Sequence, residues 1–235
     1  MQRWLVAVLV ALAACAGSSP TRADQGRSIA EQAGLPKDVA DFFALATSAP
    51  QHAYRVTLET KDAQGKPLQV TTTQRPPDLR VDTFHDDGTI DATLSVKGER
   101  YQCTMAANHW DCGDLGAAST SSGGDQVFGA TAVQTAIDQF KTSAADYDFR
   151  VETRTITGAS ASCLVTTRKQ GQSQDPPLGA SATLCLSHEG AILLAQVPTG
   201  ALTATGYTTT IPDDAFTLPA PVTAATASAA PTTAN

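Results

Sequence analysis

Between Ala53 and Lys97, apolar side chains recur at every second position in four short segments parted by tight-turn signals, and this alternation constrains the fold more than any other feature. AYRVTLETK sets Tyr54, Val56 and Leu58 against Arg55, Thr57 and Glu59, and DAQGK then parts it from PLQVTTTQ. Pro76-Pro77 closes that pair. DLRVDTFH follows with Leu79, Val81 and Thr83 on one side, and after Asp86-Asp87-Gly88 comes TIDATLSVK with Ile90, Ala92, Leu94 and Val96 on one side. Glycine after aspartate supplies the positive φ of a hairpin turn. The pattern predicts an antiparallel meander with one apolar face and one face rich in Thr, Asp, Arg and Gln.

The period returns to two in YDFRVETRTIT, ASCLVTTRK, ASATLCLS, AILLAQVP and TATGYTTTI, giving about nine strands. Two stretches instead have helical spacing. Residues 28–48 place Leu35, Val39, Phe42, Phe43 and Ala46 on one face, with Gly34 and Pro36 predicting a weak first turn and a firmer helix from about Pro36. Residues 131–145 do the same with Val133, Ile137, Phe140 and Ala144. Strands grouped in meanders with few helices predict an α+β fold: a strongly curved antiparallel sheet covered by two short amphipathic helices. Phe42, Phe43, Val133, Ile137 and Phe140 are the candidates for lining a cavity between sheet and helices, or for simply filling that core.

The ends of the chain speak of address. MQRWLVAVLVALAACAGSSP has Arg3, an uncharged apolar run from Trp4 to Ala14 and then small residues, which is the pattern of an export signal. The run is shorter than the roughly 20 apolar residues that cross a bilayer. Residues 15–27 read as a tether, residues 28–219 as one domain, and residues 220–235, repeating Ala, Thr and Pro, as a disordered tail. Without Arg3 the chain carries 15 basic and 23 acidic side chains, a balance that argues against nucleic acid and against electrostatic docking on anionic lipid.

Leu12-Ala13-Ala14-Cys15 resembles the lipobox of bacterial lipoproteins. The resemblance implies that residues 1–14 are removed and that Cys15 becomes an acylated N-terminus, palmitate-like chains holding the protein on the extracytoplasmic face of a membrane. The order of lipidated tether, helix, meander, central helix and second meander also resembles the LolA/LolB-like and LppX/LprG-like lipoproteins, as does Tyr207–Pro219, a last strand followed by aspartate, phenylalanine and proline. That likeness implies a half-open β-barrel and a lipid or other hydrophobic ligand. A structural or protein-interaction lipoprotein with a filled core is the alternative.

An exported chain is a setting for disulfides. Cys163 and Cys185 lie symmetrically about the loop QGQSQDPP, so a hairpin centred there sets them opposite each other. Cys103 and Cys112, in YQCTMAANHWDC, then pair by elimination and locality, although four cysteines allow three connectivities. The weaker metal readings use Cys103, His109 and Cys112, or His85-Asp86-Asp87. No G-x-S-x-G elbow, phosphate loop or nameable carboxylate pair is present, so the expectation is a binding protein with no catalytic residues, cofactor or metal.

Overall fold

The computed structural model describes residues 21–62, 64–117, 138, 146–170, 180–198 and 200–223. Two helices lead. Helix α1, Arg22–Gln32, begins inside the stretch read as a tether, because Thr21 and Asp24 form a capping box: the Thr21 hydroxyl accepts from the Asp24 amide at 3.2 Å and the Asp24 carboxylate accepts from the Thr21 amide at 3.3 Å. Helix α2, Lys37–Ser48, starts directly after Pro36, and a short 3₁₀ turn, Ala49–Gln51, ends it. The expected single interrupted helix is therefore two helices, parted by Gly34 at φ +74°. Gly26 lets them touch: a Cβ there would lie 2.2 Å from Thr47 Oγ1 and 2.9 Å from the Phe43 carbonyl oxygen.

Twelve strands follow: β1 Tyr54–Lys61, β2 Pro67–Arg75, β3 Asp78–Phe84, β4 Ile90–Val96, β5 Glu99–Ala106, β6 His109–Ala117, β7 Tyr147–Ile156, β8 Ala159–Arg168, β9 Ser181–Ser187, β10 Ile192–Val197, β11 Gly200–Thr208 and β12 Val222–Thr223. They form one sheet in the order β12-β6-β5-β4-β3-β2-β1-β11-β10-β9-β8-β7. The first meander thus runs outward from β1, the second runs inward from β7, and they meet where β1 pairs antiparallel with β11. The sheet is open, with β12 and β7 at its two ends. The molecule is mostly β-sheet with two short described helices.

The count exceeds nine because residues 99–117 form a full hairpin and because Val222–Thr223, within the stretch read as a disordered tail, pair parallel with Cys112–Gly113 at the edge of β6. Three hairpins turn on two residues that both have positive φ: Lys97–Gly98, Ala107–Asn108 and Thr157–Gly158. Such turns match the twist of the flanking strands. The central helix expected at residues 131–145, with Val133, Ile137 and Phe140, lies outside the described residues apart from Asp138.

The first meander departs from its reading in one decisive way. Leu79 and Val81 of β3 share a face with Tyr54 and Val56 of β1, through the pairings Leu79↔Gln74↔Tyr54 and Val81↔Thr72↔Val56. On β4, however, the buried residues are Ala92 and Leu94, which pair with Asp82 and Arg80. The apolar face therefore changes sides between β3 and β4. Asp82 and Arg80 go with the buried side, where Arg80 Nε lies 2.9 Å from each carboxylate oxygen of Asp82 and the two side chains are only 18% and 10% exposed.

Separate covers answer the two faces. Helix α2 packs Val39, Phe42, Phe43 and Ala46 onto Leu164 and Leu186, with Phe149, Val151 and Leu184 at the margin. A second group runs from Tyr54, Val56 and Leu58 through Ala204 and Leu193 to Ala161, Cys163 and Cys185. Because Cys163 and Leu164 are adjacent on one strand, β8 is buried on both faces. A third group, Ala92, Leu94, Cys103 and Cys112, is covered by Leu218 and Ala220 of a strap that follows β11 and ends in β12. Arg80 anchors the strap by donating to the Ala215 carbonyl at 3.3 Å, and the Arg75 guanidinium sits 5.3 Å from the centre of the Phe216 ring.

Candidate functional site

A large hollow lies at the end of the sheet away from the helices. Strand β1 leaves the 3₁₀ turn at Tyr54 and runs seven steps to Lys61, about 23 Å at the usual rise. At that far end, the tips of the β1–β2, β3–β4 and β10–β11 connections surround an open cleft of about 1370 Å³. This exceeds the roughly 300–1,000 Å³ of pockets for drug-sized ligands. Its apolar lining comes from Leu68, Phe84, Val197, Pro198, Ala201 and Leu202, and Glu59, Lys61, Asp62, His85 and Asp86 add polar groups. Val197 is 44% exposed.

The charged groups at this end are largely engaged in holding the turns. The Asp62 carboxylate accepts from the Gln64 and Lys66 amides at 2.9 and 2.8 Å, closing the β1–β2 turn. Lys66 Nζ meets Asp86 at 3.1 Å, and that hydrogen bond raises the lysine above its ordinary value. Asp87 is held low by hydrogen bonds from the Thr89 hydroxyl and amide. His85 Nε2 lies 2.9 Å from Asp91 on β4. The residues of the His85-Asp86-Asp87 cation reading thus face three different partners, and among the described residues no three metal-ligating side chains converge.

Near the helices the chemistry is that of anchoring. The Gln74 amide donates to the carbonyls of Ala49 and His52 at 2.7 and 2.9 Å, tying β2 to the end of α2. Tyr207 donates to Glu189, which also accepts from Ser187 at 3.1 Å, fastening the β9–β10 turn to β11. Burial pushes Glu189 up, but the hydrogen bonds from Tyr207, the backbone and Ser187 outweigh it, and the carboxyl ends below its ordinary value. Tyr207 is raised, first by burial and then by Glu189, and burial pushes Tyr54 up to about 12.

The residues singled out from the sequence separate accordingly. Cys103 is joined to Cys112 and Cys163 to Cys185, each across directly paired strands. The segment YQCTMAANHWDC is the β5–β6 hairpin itself, with its disulfide wholly buried. Phe42 and Phe43 are 2% and 5% exposed, in edge-to-face contact at 6.1 Å, and packed in the helix–sheet core; neither lines a described hollow. Cys15, Val133, Ile137 and Phe140 lie outside the described residues. Sequence periodicity missed the cleft because its lining comes from strand ends and turns, where alternation carries no signal. The exposed Val197-Pro198 at a turn was the one available cue.

No family model and no curated protein matches the chain. Solved structures similar to it include an uncharacterized conserved protein from Thermus thermophilus (12% identity, TM-score 0.40, covering 75% of this chain and 90% of that one). Two others are the Mycobacterium tuberculosis lipoprotein LppX (13%, 0.33, 71% and 94%) and MucB in complex with MucA(peri) (18%, 0.28, 73% and 56%). At this level of likeness nothing about the present chain is inferred from them. Among the described residues, no helix is long and apolar enough to cross a membrane.

Proposed function

We propose that the chain is an extracytoplasmic lipoprotein, cut before Cys15 and anchored through acyl chains on that residue, whose cleft at the hairpin end receives an acyl chain or another hydrophobic molecule. The observation that carries the reading is the cleft: about 1370 Å³ open to solvent, lined by the partly buried Leu68, Phe84 and Leu202 and by Val197, which is 44% exposed. Transfer of apolar surface from water is worth about 25 cal/mol per Å², so an acyl chain gains by lying against this lining. The two disulfides accord with an oxidising compartment outside the cytoplasm. The lipobox-like Leu12-Ala13-Ala14-Cys15 supports an anchor that would hold the domain at a membrane surface, where such chains are at hand. The function proposed is binding or carriage, with no catalytic step.

A second reading has its own support. Beneath the helices the space is filled by Val39, Phe42 and Phe43 against Leu164 and Leu186, which is what a structural or protein-interaction lipoprotein without a ligand requires. Titrating the full chain in detergent with a fluorescent sixteen-carbon fatty acid separates the two. Saturable binding that Leu202→Glu abolishes is expected. Absence of saturable binding, with a stoichiometric protein partner recovered by pull-down, favours the second reading.

A further inference from the structure

The strap borders a smaller, partly open hollow on the opposite side of β3 from Leu79 and Val81, and we propose that it is a second binding site, for a small zwitterion with an apolar side chain, a molecule of the amino-acid class. The hollow measures about 280 Å³. That is just below the range for drug-sized ligands and too small for a long acyl chain.

Strand register builds its floor in two rows. Arg55, Thr73 and Arg80 sit side by side, since Arg55 pairs with Thr73 and Thr73 with Arg80. Phe84 and Ile90 pair in the second row, and Trp110 follows beyond Met105. The strap supplies the roof with Pro212, Asp214 and Ala215. One end is therefore cationic and hydroxylic, and the other aromatic.

The charges decide the ligand class. Arg80 is committed, its Nε to Asp82 and its Nη1 to the Ala215 carbonyl, so this pair cancels and pins the roof to the floor. What remains is one guanidinium, Arg55, and one carboxylate, Asp214, both lining the hollow and both without a hydrogen-bond or ion-pair partner among the described residues. A purely anionic ligand would be drawn by Arg55 and repelled by Asp214, and a purely cationic one the reverse. A zwitterion satisfies both, its carboxylate at Arg55 and Thr73 and its ammonium at Asp214. The Phe84, Ile90 and Trp110 wall then takes an apolar side chain, aromatic ones best.

Isothermal titration of the full chain in detergent, with L-phenylalanine as the probe, tests this. The expected result is one site per chain, with phenylacetate and phenethylamine each at least tenfold weaker and a change in Trp110 fluorescence on saturation. Arg55→Met weakens L-phenylalanine at least tenfold, and Asp214→Asn weakens it while narrowing its lead over phenylacetate. Leu202→Glu, at a residue that lines the cleft and not this hollow, leaves it unchanged, so this proposal and the acyl-chain reading fail independently. Both Arg55 and Asp214 are exposed, and an unchanged thermal midpoint in their variants separates lost binding from lost folding. No saturable heat with L-phenylalanine, equal binding of phenylacetate, or binding unaltered in both variants would overturn the proposal.

Discussion

The two halves of the sheet solve the same burial problem with different materials. In the β7–β10 half, an amphipathic helix supplies two phenylalanines and a valine, and the strands answer with Leu164 and Leu186. In the β4–β6 half, the fully buried set is Ala92, Leu94 and the Cys103–Cys112 pair, under an irregular strap that contributes Leu218 and Ala220. Each half has one disulfide, but the surroundings differ: one cystine backs a strand pair already buried on its other face by a helix, while the other is itself much of the core. Where the cover is thin, the covalent link takes over part of the work of hydrophobic volume.

The largest effect is expected from removing helix-side volume. Phe42→Ala should cost about 3–5 kcal/mol, the usual range for a buried aromatic, and lower the urea midpoint of the whole domain. A loss under 1 kcal/mol would mean that the helix face is loosely packed. Next come the disulfides. Loop-closure entropy for sequence separations of 22 and 9 assigns about 3.4 kcal/mol to Cys163–Cys185 and about 2.6 kcal/mol to Cys103–Cys112. Double serine variants, compared by chemical denaturation, should follow that order globally. Hydrogen exchange should invert it locally, with β5 and β6 losing protection selectively when the small loop is opened.

Smaller still is the strap. Leu218→Ala, at a partly buried position, should cost about 1 kcal/mol and raise exchange in β4–β6 while leaving α2 and β8 untouched. Equal loosening of both halves would contradict their independence. The smallest effect is electrostatic. Glu189 lies below its ordinary value, so its contribution is present above about pH 4.3 and is lost as the pH falls through the folded value. Tyr207 lies above its ordinary value, so its contribution is present below about pH 10 and is lost as the pH rises. The stability difference between wild type and Tyr207→Phe should therefore be flat from about pH 5 to 9 and shrink on both sides, as read from urea midpoints.

Much of this architecture was legible in the chain. Alternation located Tyr54, Val56 and Leu58 on one face of β1, Asp-Gly marked the β3–β4 turn, and the symmetry of Cys163 and Cys185 about one loop set their pairing. What escaped was whatever depends on which face a neighbour presents. Leu79 and Val81 alternate as cleanly as Ala92 and Leu94, yet pairing puts them on opposite sides of the sheet, and alternation within a strand says nothing of register between strands. The partly buried Arg80–Asp82 pair follows from that reversal. Ala107–Asn108 hid a hairpin because alanine is a poor advertisement for positive φ. Helix α1 hid because its signal is a cap at Thr21 and Asp24 rather than an apolar stripe. Of the candidate site, the cysteines were readable one by one, whereas the cleft, assembled from three turn regions far apart in sequence, was not.

The central claim, that the hairpin-end cleft holds a hydrophobic molecule, is tested most directly by the lipid-to-protein ratio of the chain purified from its native host. Quantitative mass spectrometry of the organic extract would compare wild type with Leu202→Glu, the covalent acyl chains being counted separately on the N-terminal peptide. About one non-covalent hydrophobic molecule per wild-type chain, and its loss in the variant, is the result expected. A wild-type protein free of extractable lipid, or equal lipid in both proteins, would contradict it.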